Sequence, residues 1–502
     1  MPNKSYSQIL KSSSIMGGTA GITMLLGMVR TKFAAVMIGT AGAGLLANFG
    51  AIQGLVGTLA GLGIGSSAVR DVAAAVAAGD QTAIGRTVLT LRRMCWLTGL
   101  VGMAAMVALS PIFAQWTFGN QDHTLEIAAL GLIILFGNLS GGQTALITGM
   151  RRIGDLARLS VSSAVVGTVV SIGFYLSLGL RGIVPALVLA ATINLLITWQ
   201  FAKRVPVPPA KMMWVESFKE AGGMVKLGVV MMWSGLLASL ATFATVKMIT
   251  TSISLPAVGI YSAAFALSGM LVNFVLGAMG ADYYPRLTGV AKDKEALNRL
   301  VNEQTEIGLL LAVPGLLATL SLAPWVIHVF YTAEFLPAVA LLQWFVLGCL
   351  GRVVSWPLGF LMLALGKGRW FFGTETTFGV LHVALIAALL HWVGLQGVAM
   401  AFTLLYVAST ATVWGVARHL TGFAWSPSSR NMLMGLTVVV ALLFITVRAL
   451  PLWPGTVVGG LVTLVVSLYC LRGLVARVGP EHRITKLGLR VPGIKWVVGR
   501  HV

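Results

Sequence analysis

The chain has 502 residues, of which 57% are hydrophobic and only 10% are charged. This composition excludes a water-soluble globular protein, because a single core cannot hide so much apolar surface. The net charge of +20 would suit a nucleic-acid-binding protein, but the basic residues lie between apolar runs and form no continuous stripe. No nucleic-acid partner is therefore predicted.

Apolar runs long enough to cross a bilayer recur along the whole chain. A hydrocarbon core of about 30 Å needs about 20 helical residues, and cutting the sequence at charges and at Pro or Gly clusters gives fourteen such runs. Helices are required, since backbone polar groups in lipid must bond within their own segment and the alternation of a β-barrel is missing. The sequence therefore predicts an all-α integral membrane protein with about 14 transmembrane helices. The predicted spans are 13–37, 43–69, 94–117, 126–149, 158–180, 183–203, 224–250, 257–281, 305–330, 337–366, 371–393, 395–417, 431–449 and 455–472.

The distribution of Lys and Arg predicts that both termini are cytoplasmic. Basic residues resist translocation, and in this orientation only six of the 35 lie away from the cytoplasmic loops, their flanking span ends and the terminal segments. Those six are Arg30, Lys32, Arg181, Lys247, Arg352 and Arg448. All external connections are short, the longest lying around Gln121–His123. A membrane-embedded ligase or polymerase would be expected to carry a substantial external loop, so an enzyme is not predicted.

A weak internal repeat relates the two halves of the chain. Spans one and two align with spans seven and eight at an offset near 215, which pairs Lys32 with Lys247, Gly44 with Gly259 and Gly65 with Gly280. Six helices separate the copies, so both copies cross the membrane in the same direction, as in parallel-repeat transporters. Chance agreement between two Gly-rich hairpins is the alternative interpretation.

The repeat predicts two six-helix lobes around a central cavity, followed by two additional helices. The basic C-terminal segment suits contact with an anionic cytoplasmic leaflet, and a plain solvated tail is the alternative interpretation. The predicted segments are an N-terminal lobe over 1–203, a cytoplasmic linker over 204–223, a C-terminal lobe over 224–420, two further helices within 421–472 and a basic cytoplasmic tail over 473–502.

Four cations lie inside predicted spans. Arg352 is near the middle of span ten, where an Arg costs about 2.5–3.5 kcal/mol on insertion scales. Arg30, Lys32 and Lys247 lie in the outer parts of spans one and seven. We predict that the four line the cavity and attract an anion such as a diphosphate or an acidic sugar. The alternatives are snorkelling for the outer three and a helix–helix hydrogen bond for Arg352.

Acidic residues are missing from the middle of every predicted span. An ion-driven exporter of cations usually needs a buried carboxylate, so this class is disfavoured. Glu303, Glu306 and Glu375 lie near span ends and are candidates for ion coupling in a wetted cavity, or ordinary interfacial residues. The three cysteines have no metal-site spacing and no phosphate-binding loop is present. No catalytic residue, metal site or cofactor is predicted.

Three stretches carry a resemblance to a known family. They are IGTAGAGLLANFGAIQGLVGTLAGLGIGSSAVR (38–70), GIYSAAFALSGMLVNFVLGAMGADYYPRL (259–287) and NEQTEIGLLLAVPGL (302–316). Over roughly residues 8–420 the chain resembles the O-antigen translocases of the polysaccharide exporter family. This family belongs to the multidrug/oligosaccharidyl-lipid/polysaccharide (MOP) superfamily.

The resemblance implies a flippase of the bacterial inner membrane. Its substrate would be an undecaprenyl-diphosphate-linked oligosaccharide, such as an O-antigen repeat unit, carried to the outer leaflet by alternating access among membrane lipids. A polymerase and a chain-length regulator would be its partners, and Arg30, Lys32, Lys247 and Arg352 would line the cavity. The two extra C-terminal helices resemble those of peptidoglycan lipid-precursor flippases, which keeps that substrate open. A multidrug-type exporter is the third alternative.

Overall fold

A computed structural model describes residues 3–478, with side chains from Gly17 onward except those of Ala278, Ala281 and Val478. Within this range every regular element is a helix, which confirms the predicted all-α fold. The elements are α1 Asn3–Gly61, α2 Ile64–Ala78, α3 Gln81–Phe118, α4 Thr124–Gly149, α5 Ile153–Leu178, α6 Ile183–Lys203, α7 Trp214–Ser252, α8 Leu255–Gly289, α9 Lys294–Ser321, α10 Ala323–Phe330, α11 Ala338–Ala364, α12 Gly368–Val393, α13 Leu395–Thr421, α14 Pro427–Ala449 and α15 Leu452–Val478, with short 3₁₀ turns at Gly179–Gly182 and Ala333–Phe335.

Twelve helical segments of the described chain are long and apolar enough to cross a membrane. Two of these segments each contain two predicted spans. The segment Gly17–Gly61 includes most of the first span and most of the second, and Ile153–Lys203 includes the fifth and sixth, which meet at the turn Gly179–Gly182. The structure therefore agrees with the prediction of about fourteen crossings.

The first long segment contains a sharp break at Gly39. Its backbone angles, φ 60° and ψ −163°, are accessible at low cost only to glycine. The helix ends at Gly61, because Leu62 and Gly63 both have positive φ, 47° and 65°. The predicted second span, 43–69, is therefore too long, and the residues from Ile64 onward form the separate helix α2.

One other predicted limit is wrong for a local reason. The predicted span 305–330 is divided between α9 and α10, which separate at Leu322. Pro324 lies in the first turn of α10 and has no amide hydrogen to donate back into α9. The linker predicted over 204–223 is helical in its second half, since α7 begins at Trp214.

The chain divides into two compact units. The first unit extends to Gly259 and includes Phe330–Glu334, and the second contains Ile260–Val329 and the residues from Phe335 onward. Helix α7 packs against α1, α2 and α3 inside the first unit. The division into lobes of 1–203 and 224–420 stays a prediction. Most of the predicted tail 473–502 lies outside the described residues, which end at Val478.

The core of the first unit is formed by α1, α3, α4 and α6. Phe49 and Ile52 of α1 pack with Met106 of α3 and with Ile127 and Leu130 of α4, all of them fully buried. The large apolar side chains that these helices turn outward suit contact with lipid. This core fixes the positions of the α1 side chains that bear on function.

In the second unit, α9 and α11 are the enclosed helices. In each, 67% of the most apolar stretch is buried, against 11% in α12. Helix α15 packs on α9 and α10. Ser321 Oγ of α9 lies 3.2 Å from Thr463 Oγ1 of α15, and Trp325 Nε1 of α10 donates to Thr456 Oγ1 of α15 at 3.1 Å. The two additional helices predicted over 421–472 are thus integral to the second unit.

Candidate functional site

Lys32 ties α1 to the segment that follows α10. Its Nζ donates a hydrogen bond to the carbonyl oxygen of Tyr331 at 2.6 Å. The Tyr331 side chain is buried, and burial raises the pKa of its phenol to about 12 because the phenolate would be poorly solvated. The phenol therefore stays neutral at physiological pH. Lys32 holds this segment inside the first unit.

The other two predicted cations of the first unit have no acidic partner within the described part of the chain. The Arg30 guanidinium lies beside α5, with Nη1 3.7 Å from the position that a Cβ on Gly167 would take. Lys247 Nζ lies 5.3 Å from the centre of the Trp116 ring, at cation–π distance. Among the described residues, no carboxylate lies within 4.0 Å of either cation. Both remain available to an anionic ligand.

Arg352 belongs to a polar cluster within the second unit. It is half-buried on α11 and interacts electrostatically with the phenol of Tyr406 on α13, as does Glu375 on α12. Along its own helix, Arg352 also acts on the thiol of Cys349. In the described part of the chain Arg352 forms no ion pair within 4.0 Å. The structure thus brings two predicted site residues, Arg352 and Glu375, around one tyrosine.

Tyr406 is a member of this cluster that the sequence analysis missed. A single tyrosine inside the apolar span 395–417 was its only signal. Helices α11 and α13 approach closely here, since a Cβ on Gly351 would lie 3.1 Å from the Tyr406 Cβ. The Tyr406 ring packs edge-on against Phe402, with centroids 4.8 Å apart. The backbones of α11 and α13 therefore come together one residue before Arg352.

Glu306 is held in a structural network. It is buried on α9, where Oε1 accepts from Ser429 Oγ at 2.6 Å and Oε2 accepts from Arg477 Nε at 2.6 Å. Arg477 also donates to Ser428 Oγ at 3.2 Å. Both carboxylate oxygens are therefore occupied by groups on α14 and α15. This geometry favours an anchoring role for Glu306 over ion coupling.

Replacing Glu306 by alanine is expected to destabilise the protein. Glu306 is more deeply buried than Arg477, with side-chain exposures of 11% and 30%, so losing the charge-assisted hydrogen bonds between them costs about 1.5–3 kcal/mol. The midpoint of thermal unfolding in detergent should fall by several degrees for Glu306→Ala and for Arg477→Ala, and by less than the sum for the double variant. Glu303→Ala, on the exposed face of the same helix, is the control. If Glu306→Ala leaves the unfolding midpoint unchanged but abolishes ion-dependent transport, Glu306 has a role in ion coupling and not in anchoring.

Glu303 is solvent-exposed, unlike Glu306. It lines a depression of about 360 Å³ with Arg286 and Arg299, where α8 ends and α9 begins. This position suits an interfacial helix-end residue. Of the three predicted acids, only Glu375 is associated with a predicted cavity cation.

A reciprocal glycine contact joins α1 to the start of α8. A Cβ on Gly44 would collide with the carbonyl oxygen of Leu255, and a Cβ on Gly259 would collide with that of Thr40. We name these four residues the glycine clasp. Adding the predicted repeat offset of 215 to positions 40 and 44 gives 255 and 259. Thr40 and Leu255 are therefore equivalent positions in the two repeats, as are Gly44 and Gly259, and the two contacts are the same contact made in both directions. Such a reciprocal pairing is what a two-fold relation between repeats produces, and it supports the predicted internal repeat.

An apolar groove runs along the second unit between α11, α13 and α14. It has a volume of about 370 Å³, and its walls include Leu347, Val354, Val407, Trp414 and Leu433. The lining is almost entirely hydrocarbon. Such a groove can accept a lipid chain, because apolar side chains dominate its walls.

Comparison with known sequences identifies relatives over most of the chain. The family described as "Polysaccharide biosynthesis protein" matches residues 44–340. The lipid III flippases of Escherichia coli (strain K12) and Shigella flexneri are each 25% identical to this chain over 414 residues, which covers 78% of this chain and 93% of each relative.

Solved structures with the same fold are membrane transporters. The lipid II flippase MurJ in an inward closed conformation is similar with a TM-score of 0.70 and 10% identity, over 93% of this chain and 99% of that chain. An inward-facing multidrug resistance MATE family transporter of the MOP superfamily is similar with a TM-score of 0.62 and 16% identity, over 80% and 94% of the two chains.

These findings confirm the predicted resemblance, the predicted membrane fold and the prediction of a transporter instead of an enzyme, since the relatives are flippases and transporters. The family match includes the glycine clasp residues Gly44, Leu255 and Gly259. The chain is a multi-pass membrane transporter with the fold of the MOP superfamily, and it belongs to the polysaccharide biosynthesis protein family.

Proposed function

We propose that this protein moves an undecaprenyl-diphosphate-linked oligosaccharide from the cytoplasmic to the outer leaflet of the bacterial inner membrane. The oligosaccharide is an O-antigen repeat unit or a related polysaccharide unit. Transport proceeds by alternating access, and a polymerase and a chain-length regulator use the product outside. The lipid III flippases among the relatives support a lipid-linked substrate of this kind.

The observation that carries the proposal is a set of membrane cations without acidic partners. Arg352, Arg30 and Lys247 have no carboxylate within 4.0 Å among the described residues. A charge within the membrane costs about 2.5–3.5 kcal/mol on insertion scales, and an unpaired one is retained where it serves function. A diphosphate offers several acceptor oxygens, which a guanidinium can bind in bidentate fashion. The sign of these charges suits a diphosphate and opposes a cationic drug.

The apolar groove between α11, α13 and α14 supports the lipid half of the substrate. A polyprenyl chain needs a hydrocarbon surface along which it can stay while its head group crosses the membrane. Leu347, Leu350 and Val354 of α11 line this groove, and Arg352 lies on the same helix. One helix therefore offers apolar side chains for a tail and a cation for a phosphate.

The direction of transport rests on the predicted orientation, with both termini in the cytoplasm. In this orientation α1 reaches the outer surface near Gly39, and the glycine clasp lies at the outer end of the transporter. The clasp brings α1 and α8 into backbone contact there. We propose that this contact closes the outer end and separates when the substrate is released.

A peptidoglycan lipid precursor is the second candidate substrate. The specific observation in its favour is the pair of C-terminal helices, α14 and α15, which are packed on α9 and joined to it through Glu306. Such a precursor carries the same diphosphate and polyprenyl groups, so it suits the same cations. A multidrug-type exporter is less favoured, because the membrane cations would repel a cationic drug.

Glu375 is our candidate for ion coupling. Its carboxylate shares the surroundings of Tyr406 with Arg352, so binding of a cation at Glu375 would change the local charge that the substrate diphosphate meets. Glu375→Gln should therefore remove the dependence of transport on an imposed proton or sodium gradient in proteoliposomes. Glu303→Gln is the matched control and should leave the dependence intact. Undiminished gradient dependence in Glu375→Gln would contradict the assignment.

The proposed function is tested by depleting the protein and measuring lipid-linked sugars separately in each leaflet. We expect short lipid-linked units to accumulate on the cytoplasmic side, and their mass identifies the sugar. Accumulation of a peptidoglycan precursor instead would select the second candidate substrate. Normal units in the outer leaflet, with loss of polymer outside the cell, would overturn the flippase proposal in favour of a polymerase or a ligase.

A further inference from the structure

A cavity of about 350 Å³ lies between α3, α4 and α6 in the first unit, apart from the cations considered above. Arg92 of α3 and Lys203 of α6 contribute its two charges, and Gln143 of α4 contributes an amide. Trp96 and Trp199 lie at its mouth, 52% and 47% exposed. The rest of the lining is mostly apolar. The cavity therefore has two positive charges, two aromatic rings and an apolar wall.

The two cations of this cavity differ from the basic residues around them. Arg86 is paired with Glu220 at 2.7 Å, and Arg93 donates to Ser217 Oγ at 2.7 Å. Arg92 forms no ion pair or side-chain hydrogen bond within the described residues. Lys203 has no carboxylate partner there either, and its Nζ lies 3.5 Å from the centre of the Trp199 ring. The cavity thus keeps two charges that the protein itself does not neutralise.

We propose that this cavity binds the phosphate head group of an anionic phospholipid of the surrounding membrane. Arg92 and Lys203 would hold the phosphate, and the Gln143 amide would contact the polar groups of the lipid next to the phosphate. Gln143 already accepts a hydrogen bond from Thr198 through Oε1, which directs its amide nitrogen away from Thr198. An acyl chain would follow the apolar wall past Leu139 toward the bilayer centre.

The position along the helices agrees with a lipid head group. Lys203 is the last residue of α6, so the cavity lies near a helix end, at the depth where head groups meet the hydrocarbon. Exposed tryptophans such as Trp96 and Trp199 favour this interfacial depth, because their rings are apolar and their N–H groups are polar. Basic pockets between transmembrane helices are suited to acidic lipids. The bound lipid would clamp the ends of α3, α4 and α6 together.

The test is native mass spectrometry of the full-length protein released from detergent. Phosphatidylglycerol and phosphatidylcholine of identical acyl chains are added separately, and soluble glycerol phosphate is added in excess to a third sample. We expect the wild-type protein to retain phosphatidylglycerol and not phosphatidylcholine. Glycerol phosphate should not displace the lipid, because it lacks the acyl chains that occupy the apolar wall.

The double variant Arg92→Gln/Lys203→Gln should bind phosphatidylglycerol about tenfold more weakly, as loss of charge-assisted phosphate contacts predicts. Each single variant should show a smaller loss. The matched control is Lys367→Gln/Arg369→Gln, which removes two exposed cations that do not line this cavity. All variants should share the wild-type unfolding midpoint in lipid-free detergent, since the replaced side chains are exposed.

Three outcomes would overturn the proposal. Equal retention of both phospholipids by the wild-type protein would show that charge does not select the lipid. Displacement by glycerol phosphate would identify a site for soluble phosphate compounds. Unchanged phosphatidylglycerol binding in the double variant would place the lipid elsewhere on the protein. Because binding is measured without transport, failure here leaves the proposed flippase function untouched.

Discussion

Replacing Arg352 by alanine is expected to reduce transport of the lipid-linked substrate at least tenfold, while the protein inserts and folds normally. A hydrogen bond to a charged group contributes about 1.5–3 kcal/mol, which corresponds to about ten- to a hundredfold in binding. Arg352 forms no ion pair in the described chain that its loss would break. The measurement is the rate at which labelled lipid-linked oligosaccharide reaches the outer leaflet of proteoliposomes.

Two further variants separate charge from shape. Arg352→Lys should keep part of the activity, because the positive charge remains and only the bidentate geometry is lost. Arg369→Ala is the matched control, because Arg369 is exposed near the start of α12 and its replacement removes an equal charge from the second unit. Normal transport by Arg352→Ala, with the full amount of protein in the membrane, would exclude Arg352 from substrate binding.

Much of the fold could be predicted because hydropathy is a local property. A stretch of about 20 apolar residues needs no knowledge of its neighbours to be identified as a span. The errors lie where backbone geometry decides the outcome. The positive φ values of Leu62 and Gly63 end α1 inside the predicted span 43–69, and Pro324 divides the predicted span 305–330 between α9 and α10. Apolar composition continues across both places and hides the breaks.

The candidate site was predictable only in part. Arg352 and Lys247 are visible in the sequence because a cation inside an apolar run is rare. Their surroundings depend on distant residues that no local pattern reveals. Glu306 meets Arg477, which lies 171 positions away, and the charge of Arg477 looks like part of a basic tail. The sequence alone gives no reason to select Tyr406. Its electrostatic interaction with Arg352 arises only because α13 packs on α11.

The glycine clasp yields the second prediction with a large expected effect. Gly44→Ala would place a methyl group against the Leu255 carbonyl oxygen, and Gly259→Ala would do the same at Thr40. Overpacking of this kind costs about 1–3 kcal/mol. Because the cost applies only while α1 and α8 are in contact, each substitution should shift the protein toward states in which they are apart, by about tenfold or more.

A cysteine at position 40 reports this shift. The native thiols Cys95, Cys349 and Cys470 are buried, so a membrane-impermeant maleimide should label Thr40→Cys selectively. We expect its labelling rate to rise about tenfold when Gly44→Ala or Gly259→Ala is added. The matched control is Gly54→Ala on the same helix, where a Cβ meets no atom within 4 Å, and the labelling rate should not change.

Because the glycine clasp contains two equivalent contacts, it predicts the result of three variants and not of one. Both substitutions oppose one contact between α1 and α8, so the double variant should be labelled little faster than either single variant once the contact is lost. A strong effect of Gly44→Ala without one of Gly259→Ala would contradict the two-fold relation between the repeats. Unchanged labelling in both variants would show that α1 and α8 do not close the outer end, and alternating access would then need another closing contact.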